Sequence, residues 1–418
     1  MSFFSKATSY NLACGYILYQ AILRVSDSML IPELKESLSI STTEIGLISS
    51  AFYIAYFLFQ IPAGLLIDKI GIKKSWLFAL ITLSIANILF SINLSLLLSI
   101  VSRFLMGAGS AFAWVGSVKL VRNNFNFKKQ AFFMGILSAL ITFGAVISQS
   151  CLVWIFTLCQ GWQNAFSFFS ILSLILLTLI LFLLKETPLK KPLYLDKNHH
   201  LSIRFKKTAK NLIKSKKFWK LSFFGATLVA VHSSFAGLWG IYYLTQSFKL
   251  DKDVAGKVMS CFWIGGCLGA PFYGYLRKYL MNHKIHLCFS IVLSTLFLIL
   301  IFNPSQNIMF VKIILFLMGF ISTAELLATS VIAVQEMGHS KPATVMGFYN
   351  SAISILGPIF QIFIGFTTSS ISNSLITNEI RSLTLSFLIF PVFITLSSLL
   401  LFKFRSPHPL VTKIPPHT

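Results

Sequence analysis

Apolar runs of about 20 residues recur along this chain from end to end, each long enough to cross a hydrocarbon layer of ~30 Å as one helix. Twelve such spans are expected, at 10–32, 45–67, 75–93, 95–118, 131–155, 163–184, 219–246, 255–276, 285–302, 307–334, 342–367 and 381–402. Soluble domains carry roughly 25% charged residues. Here only 11% are charged, 56% are hydrophobic and the mean hydropathy is +0.78, which excludes an ordinary cytosolic enzyme. A disordered chain is excluded too, because 42 phenylalanines would not stay solvated. The first run is too long for the apolar core of a signal peptide and lacks a small-residue cleavage site, so it is expected to be a retained span.

The longest polar interruption, Lys185 to Lys217, separates six spans from six and is rich in lysine. It divides the chain into an N-terminal half (1–184), a basic connector (185–217), a C-terminal half (218–402) and a tail (403–418). The net charge of +23, from 35 Lys+Arg against 12 Asp+Glu, sorts by side of the membrane. With the N-terminus inside, the connector and the loops holding Lys69, Lys73, Lys74, Lys119, Arg122, Lys128, Lys129, Arg277, Lys278 and Lys284 are cytoplasmic. The outside keeps only Lys35, Lys249, Lys252, Lys257 and Arg381. Such an excess of inner cations places both termini in the cytoplasm. Nucleic acid is the rival partner for so basic a chain, but no basic patch interleaved with aromatics lies outside the spans. The six cysteines show no CxxC or metal-ligand spacing and read as reduced packing residues, with no metal or cofactor implied.

The two halves repeat. Phe104-Leu-Met-Gly107 in span 4 recurs 212 positions on as Phe316-Leu-Met-Gly319 in span 10, and Met134-Gly135 recurs at the same offset as Met346-Gly347. Pro62 and Pro271 stand nearly in that register. Parallel repeats of six spans are the build of rocker-switch membrane carriers.

Between spans 2 and 3 the chain reads Gly64-x-x-x-Asp68-Lys69-x-Gly71-x-Lys73-Lys74. This resembles the signature loop of the major facilitator superfamily throughout its length. Gly64 is expected to permit close helix contact, and Asp68 to cap a neighbouring helix or pair with a base across the cytoplasmic gate. Gly71 is expected to make the tight turn, and Lys73 and Lys74 to hold the loop inside. The second-half counterpart, Gly274-x-x-Arg277-Lys278, lacks the acid. Arg103-x-x-x-Gly107-x-Gly109 in span 4 is similar to a superfamily pattern tied to proton coupling, while span 5 lacks the Gly-Pro pair typical of drug/proton antiporters. Arg24-x-x-Asp27, Tyr53-x-x-Tyr56 and Gln60-x-Pro62 resemble a branch with small-peptide and amino-acid carriers and siderophore importers. The resemblance implies an all-α membrane fold of twelve transmembrane helices in two six-helix halves.

A charge near the bilayer centre costs at least ~2.5–3.5 kcal/mol, so each one needs a partner or a wet cavity. Two acids lie clearly within spans, Asp27 and Glu325, and the basic set is Arg24, Arg103 and His232. They fall on spans 1, 4, 7 and 10, the helices that line the central cavity in the superfamily. Asp27 and Arg103 stand at matching depths, so a pair between them is expected. Arg24 and Asp27 are neighbours on one helix face. By the repeat, His232 corresponds to Gln20. Each of these residues also has a plain structural alternative: a static pair, an interhelical hydrogen bond, or a histidine bonded to backbone. Tyr53, Tyr56, Trp114, Trp239 and Tyr242 could wall the cavity or simply pack. Lys119, at the inner end of span 4, could snorkel or pair at the gate.

The resemblance implies a monomeric secondary transporter of a small solute in a bacterial inner membrane, working without cofactor. Arg24 and Arg103 would hold a carboxylate, and Asp27 or Glu325 would carry the coupled proton. Efflux by proton antiport, uncoupled facilitated diffusion and a non-transporting receptor are the rival functions. No nucleotide-binding loop, His-Glu-x-x-His or Gly-x-Ser-x-Gly is present, and no enzyme is expected.

Overall fold

The computed structural model describes residues 3–92, 94–184, 210–276, 283–302, 307–337, 342–375 and 378–402. Most of the connector, the Arg277-Lys278 pair and the 403–418 tail lie outside these residues. The described chain is α-helical throughout: α1 (Phe3–Val25), α2 (Ile31–Leu38), α3 (Thr42–Ile70), α4 (Ile72–Ile92), α5 (Leu96–Asn124), α6 (Phe127–Leu158), α7 (Trp162–Leu183), α8 (Lys216–Ala230), α9 (Gly240–Ser247), α10 (Lys252–Leu276), α11 (His283–Phe302), α12 (Ile308–Met337), α13 (Pro342–Ile353), α14 (Leu356–Leu375), α15 (Glu379–Ser386) and α16 (Ile389–Phe402).

Helix lies at all twelve expected positions, and ten segments are long and apolar enough to cross a membrane. The first and eighth fall short of that mark. α1 carries Asn11, Gln20 and Arg24, and α10 opens with Lys252, Asp253 and Lys257.

Four expected spans are not single helices. The first stops at Val25, because Ser26 and Ser28 turn their hydroxyls back to the Leu23 and Val25 carbonyls, at 2.9 and 2.7 Å. A 3₁₀ turn, Ser26–Met29, follows, and Pro32 seeds α2. The seventh passes through a π-helical stretch, Val231–Trp239, between α8 and α9. The eleventh and twelfth break between α13 and α14 and between α15 and α16.

Packing reproduces the sequence repeat. α3 lies on α5 so closely that a Cβ on Gly107 would sit 2.1 Å from the Phe52 carbonyl oxygen. α10 lies on α12 in the same way, with 1.8 Å from Gly319 to the Phe262 oxygen. Large apolar side chains such as Ile61, Leu65, Phe182 and Leu97 point outward, as a chain solvated by lipid requires.

The first helical set (α1–α7) meets the second (α8–α16) along α3 against α14 and α6 against α10. These contacts gather at one end. There Thr42 Oγ1 donates to the Gly365 carbonyl at 3.1 Å, Ser150 and Ser260 share a hydrogen bond of 2.6 Å, and Gly46 abuts the Gln361 backbone. At the other end the sets part. Gly135 lies 14 residues before Gln149 on α6, within ~40° of the same face at 100° per residue. Gln149 touches Gly256 of α10, yet nothing comes within 4 Å of a Cβ placed on Gly135. The parted end carries the lysine-rich loop at Lys69–Lys74.

Candidate functional site

The buried charges form two separate groups. Arg103 of α5 reaches Asp27 in the 3₁₀ turn, Nη2 to Oδ2 2.9 Å, with both side chains essentially inaccessible. Its guanidinium also donates to the carbonyls of Leu23 (Nη1, 2.9 Å) and Arg24 (Nη2, 3.3 Å), and it lies over the Phe52 ring at 4.8 Å. Those carbonyls sit where α1 ends and lack onward helical partners. A cation at a helix C-terminus is stabilised both by hydrogen bonding and by the aligned dipoles. Arg103 is therefore a cap on α1, and Asp27 balances its charge. The pair expected from depth is present, in a packed setting.

Arg24 behaves differently. Its side chain is half-buried and has no ion-pair partner among the described residues. It lies within electrostatic reach of Tyr53 and Tyr56 on α3 and of His232 in the π segment. A Cβ on Gly237 would lie 3.1 Å from the Tyr53 hydroxyl and 3.6 Å from Val25, so α1, α3 and span 7 converge here. His232 Nδ1 donates to the Leu228 carbonyl at 2.9 Å, leaving Nε2 3.0 Å from Thr323 Oγ1 on α12. Its ring packs on Phe262 and Trp263. Among the described residues, a cation without an acidic partner, two phenols and an imidazole thus gather between the two sets.

Glu325 does not join them. It is two residues, or about 200°, from Thr323 on α12. It faces α11 instead, with Oε2 2.7 Å from His286 Nδ1 and both groups buried. The sequence singled out Glu325 but missed His286, whose place near the inner edge of span 9 reads as an interface histidine. Its signal was a polar residue inside an otherwise apolar run.

The other cavity candidates scatter. Trp239 is fully buried and donates to the Gln361 carbonyl at 3.2 Å, so it packs rather than lines. Gln20 is likewise buried, and its amide has no hydrogen-bond partner among the described residues. Trp114 is half-buried against the core. Tyr242 faces the joined end, where it donates to Glu379 at 3.0 Å beside a cavity of about 300 Å³. Two ion pairs tie the sets together there, Lys35 to Glu379 at 2.6 Å and Lys252 to Glu33. Both are partly exposed and are worth at most ~1 kcal/mol each, a fastening weak enough to release.

In the signature loop, Gly71 ends α3 at φ +91°, the left-handed region that favours glycine. Asp68 pairs with Lys119 at 2.6 Å, and Lys119 also donates to the Ile67 carbonyl at 3.0 Å. The partner is thus a base on α5 of the same set, not one across the gate. Gly64 is not needed for close contact, since a Cβ there would meet Val115 at an ordinary 3.7 Å. Lys69 and Lys74 are exposed and Lys73 half-buried.

The chain matches the Major Facilitator Superfamily over residues 12–360 and again over 221–417. The overlap of the two matches is what an internal repeat produces. A probable galactarate/D-glucarate transporter, GarP, of Escherichia coli K12 is 24% identical over 361 residues, 79% of this chain and 80% of that one. A probable L-galactonate transporter of the same organism is 23% identical, covering 82% and 79%. A probable sulfoacetate transporter, SauU, of Cupriavidus necator is 28% identical over 178 residues, which is 43% of this chain and 41% of that one. Among solved structures, a bacterial homologue of the human lysosomal transporter Spinster, inward-facing and unoccupied, superposes with a TM-score of 0.80 at 15% identity over 96% of this chain and 97% of that one.

The chain belongs to the Major Facilitator Superfamily and is a multi-pass integral membrane protein, a secondary transporter of small organic solutes and not an enzyme.

Proposed function

We propose, with that membership as premise, that this chain imports a small organic anion by alternating access between two six-helix halves, 1–184 and 218–402, with both termini cytoplasmic. The observation that carries the reading is Arg24. In a cluster where Arg103 is already satisfied by Asp27, Arg24 is the cation left facing the junction of the two sets. A carboxylate or sulfonate would pair with it there, with the Tyr53 and Tyr56 hydroxyls and His232 as neutral hydrogen-bonding neighbours. The relatives named for sugar acids and sulfoacetate support this class of solute. The separated, lysine-rich end makes this conformation inward-facing.

Proton coupling belongs to Glu325 with His286 in this reading. Asp27 is held as the counter-ion of Arg103, whereas Glu325 is buried against a histidine, which can take or release a proton. Glu325→Gln is expected to abolish accumulation driven by an inward proton gradient while sparing exchange of solute across the membrane. His286→Gln is expected to weaken accumulation without removing it. Accumulation at the wild-type level in Glu325→Gln vesicles, with loss in Asp27→Asn, would assign the proton to Asp27 instead.

Asp68→Asn is expected to lower the rate of uptake several-fold with little change in KM, because the Lys119 contact holds α3 to α5 at the inner end and lies outside the solute site. Initial-rate uptake against solute concentration checks this, and a rise in KM alone would contradict it.

A further inference from the structure

The repeat finishes its two first spans differently. In the first set, the carbonyls of Leu23 and Arg24 at the end of α1 are capped by Arg103, which Asp27 balances. Moved on by 212 positions, Leu23, Arg24, Asp27 and Arg103 become Phe235, Ala236, Trp239 and Leu315. The second set has neither the arginine nor the aspartate. At the corresponding place span 7 is π-helical, a winding that often marks functional segments.

The Ala236 carbonyl is capped from across the interface. Gln149 of α6 donates to it through Nε2 at 2.6 Å, and Gln149 Oε1 accepts from Trp263 Nε1 at 2.9 Å. Gln149 is fully buried and belongs to a repeat pair. Its mate, Gln361, donates to the Ser233 carbonyl at 2.9 Å within its own set. The carbonyl that would receive Gln361 by symmetry, that of Arg24, is already held by Arg103. Only one of the two glutamines crosses.

We propose that Gln149 is a positioning residue that completes span 7 only while the outer ends are together, so that closing the outer end also sets the His232 wall of the site. Gln149 reaches Ala236 because α6 meets α10 at Gly256, where a Cβ would lie 2.1 Å from the Gln149 carbonyl oxygen. Trp263, which Gln149 orients, packs on the His232 ring with centroids 5.9 Å apart. Parting the outer ends removes the partner of the Ala236 carbonyl and of the Trp263 indole in one step. The part played by His232 rests on the function proposed above; the crossing contact does not.

Side-specific labelling tests this. Ser28 is buried and lines the cavity at the joined end. In intact cells, with the six native cysteines replaced by serine, Ser28→Cys reports opening of that end through reaction with a membrane-impermeant maleimide. Gln149→Ala is expected to raise the labelling rate roughly fivefold or more, the effect of losing two buried hydrogen bonds from the closed state. Trp263→Phe, which removes one of the two, is expected to raise it less. Gln361→Ala, whose bond stays within its set, is expected to leave it unchanged. Unchanged labelling in Trp263→Phe and in folded Gln149→Ala would overturn the proposal, as would an equal rise in Gln361→Ala. Failure of the wild-type chain to transport any anion would overturn the proposed function but leave this labelling result standing.

Discussion

Arg24→Gln is expected to lower kcat/KM for an anionic solute about 100-fold or more, in protein that folds and purifies like wild type. A charge-assisted, two-point bond from a guanidinium to a carboxylate is among the stronger polar contacts available, and its loss is worth about 2–3 kcal/mol. Folding is unaffected because Arg24 is half-buried and pairs with no acid in the described chain, so its removal orphans no buried charge. Arg24→Lys keeps the charge but not the planar fork, and is expected to recover part of the activity through a lower KM than glutamine gives. Equal uptake kinetics in all three proteins would remove Arg24 from the site.

Asp27→Asn is expected to act on stability. Arg103 would remain fully buried with its charge uncompensated, a situation that costs about 3–5 kcal/mol. Arg103→Leu is expected to be at least as damaging, since it strands Asp27 and uncaps the Leu23 and Arg24 carbonyls. Removing both charges in Asp27→Leu/Arg103→Leu is expected to recover part of the loss, and the double-mutant cycle measures their coupling. Thermal unfolding in detergent, followed by tryptophan fluorescence, reads all three. A wild-type melting temperature in Asp27→Asn together with lost proton-driven uptake would instead make Asp27 a proton carrier, the other role the sequence left open.

Depth along each helix was legible in the sequence, and direction around it was not. Counting residues from the polar loops located the helices and matched Asp27 with Arg103. The repeat of Phe104-Leu-Met-Gly107 at Phe316 foretold the mirrored packing of Gly107 and Gly319. Glu325 shows the limit. Its span carries polar residues on two faces, Ser322, Glu325 and Thr329 on one and Thr323 and Ser330 on another, so the pattern does not say which face looks inward. Only the structure turns it to His286 rather than toward Arg24. Gln149 was invisible for a related reason, because its partners are backbone and indole groups of the other helical set, and no motif encodes a contact made across an interface that opens. The π winding of span 7 carries hydrogen bonds at Ser233 and Ala236 from two other helices, which no local pattern encodes. The breaks before Leu356 and Ile389 follow instead from Pro358 and Pro391, each without an N–H just inside the helix that starts there.

That this chain carries small organic anions is tested most directly by uptake into proteoliposomes offered a mixed pool of sugar acids, other carboxylates, sulfonates and uncharged sugars under an inward proton gradient, with the vesicle contents read by mass spectrometry. The expected result is accumulation of one or a few anions by the wild-type protein, lost in Arg24→Gln vesicles and collapsed by a proton ionophore. Accumulation of uncharged or cationic solutes alone, or of anions equally well without Arg24, would contradict it.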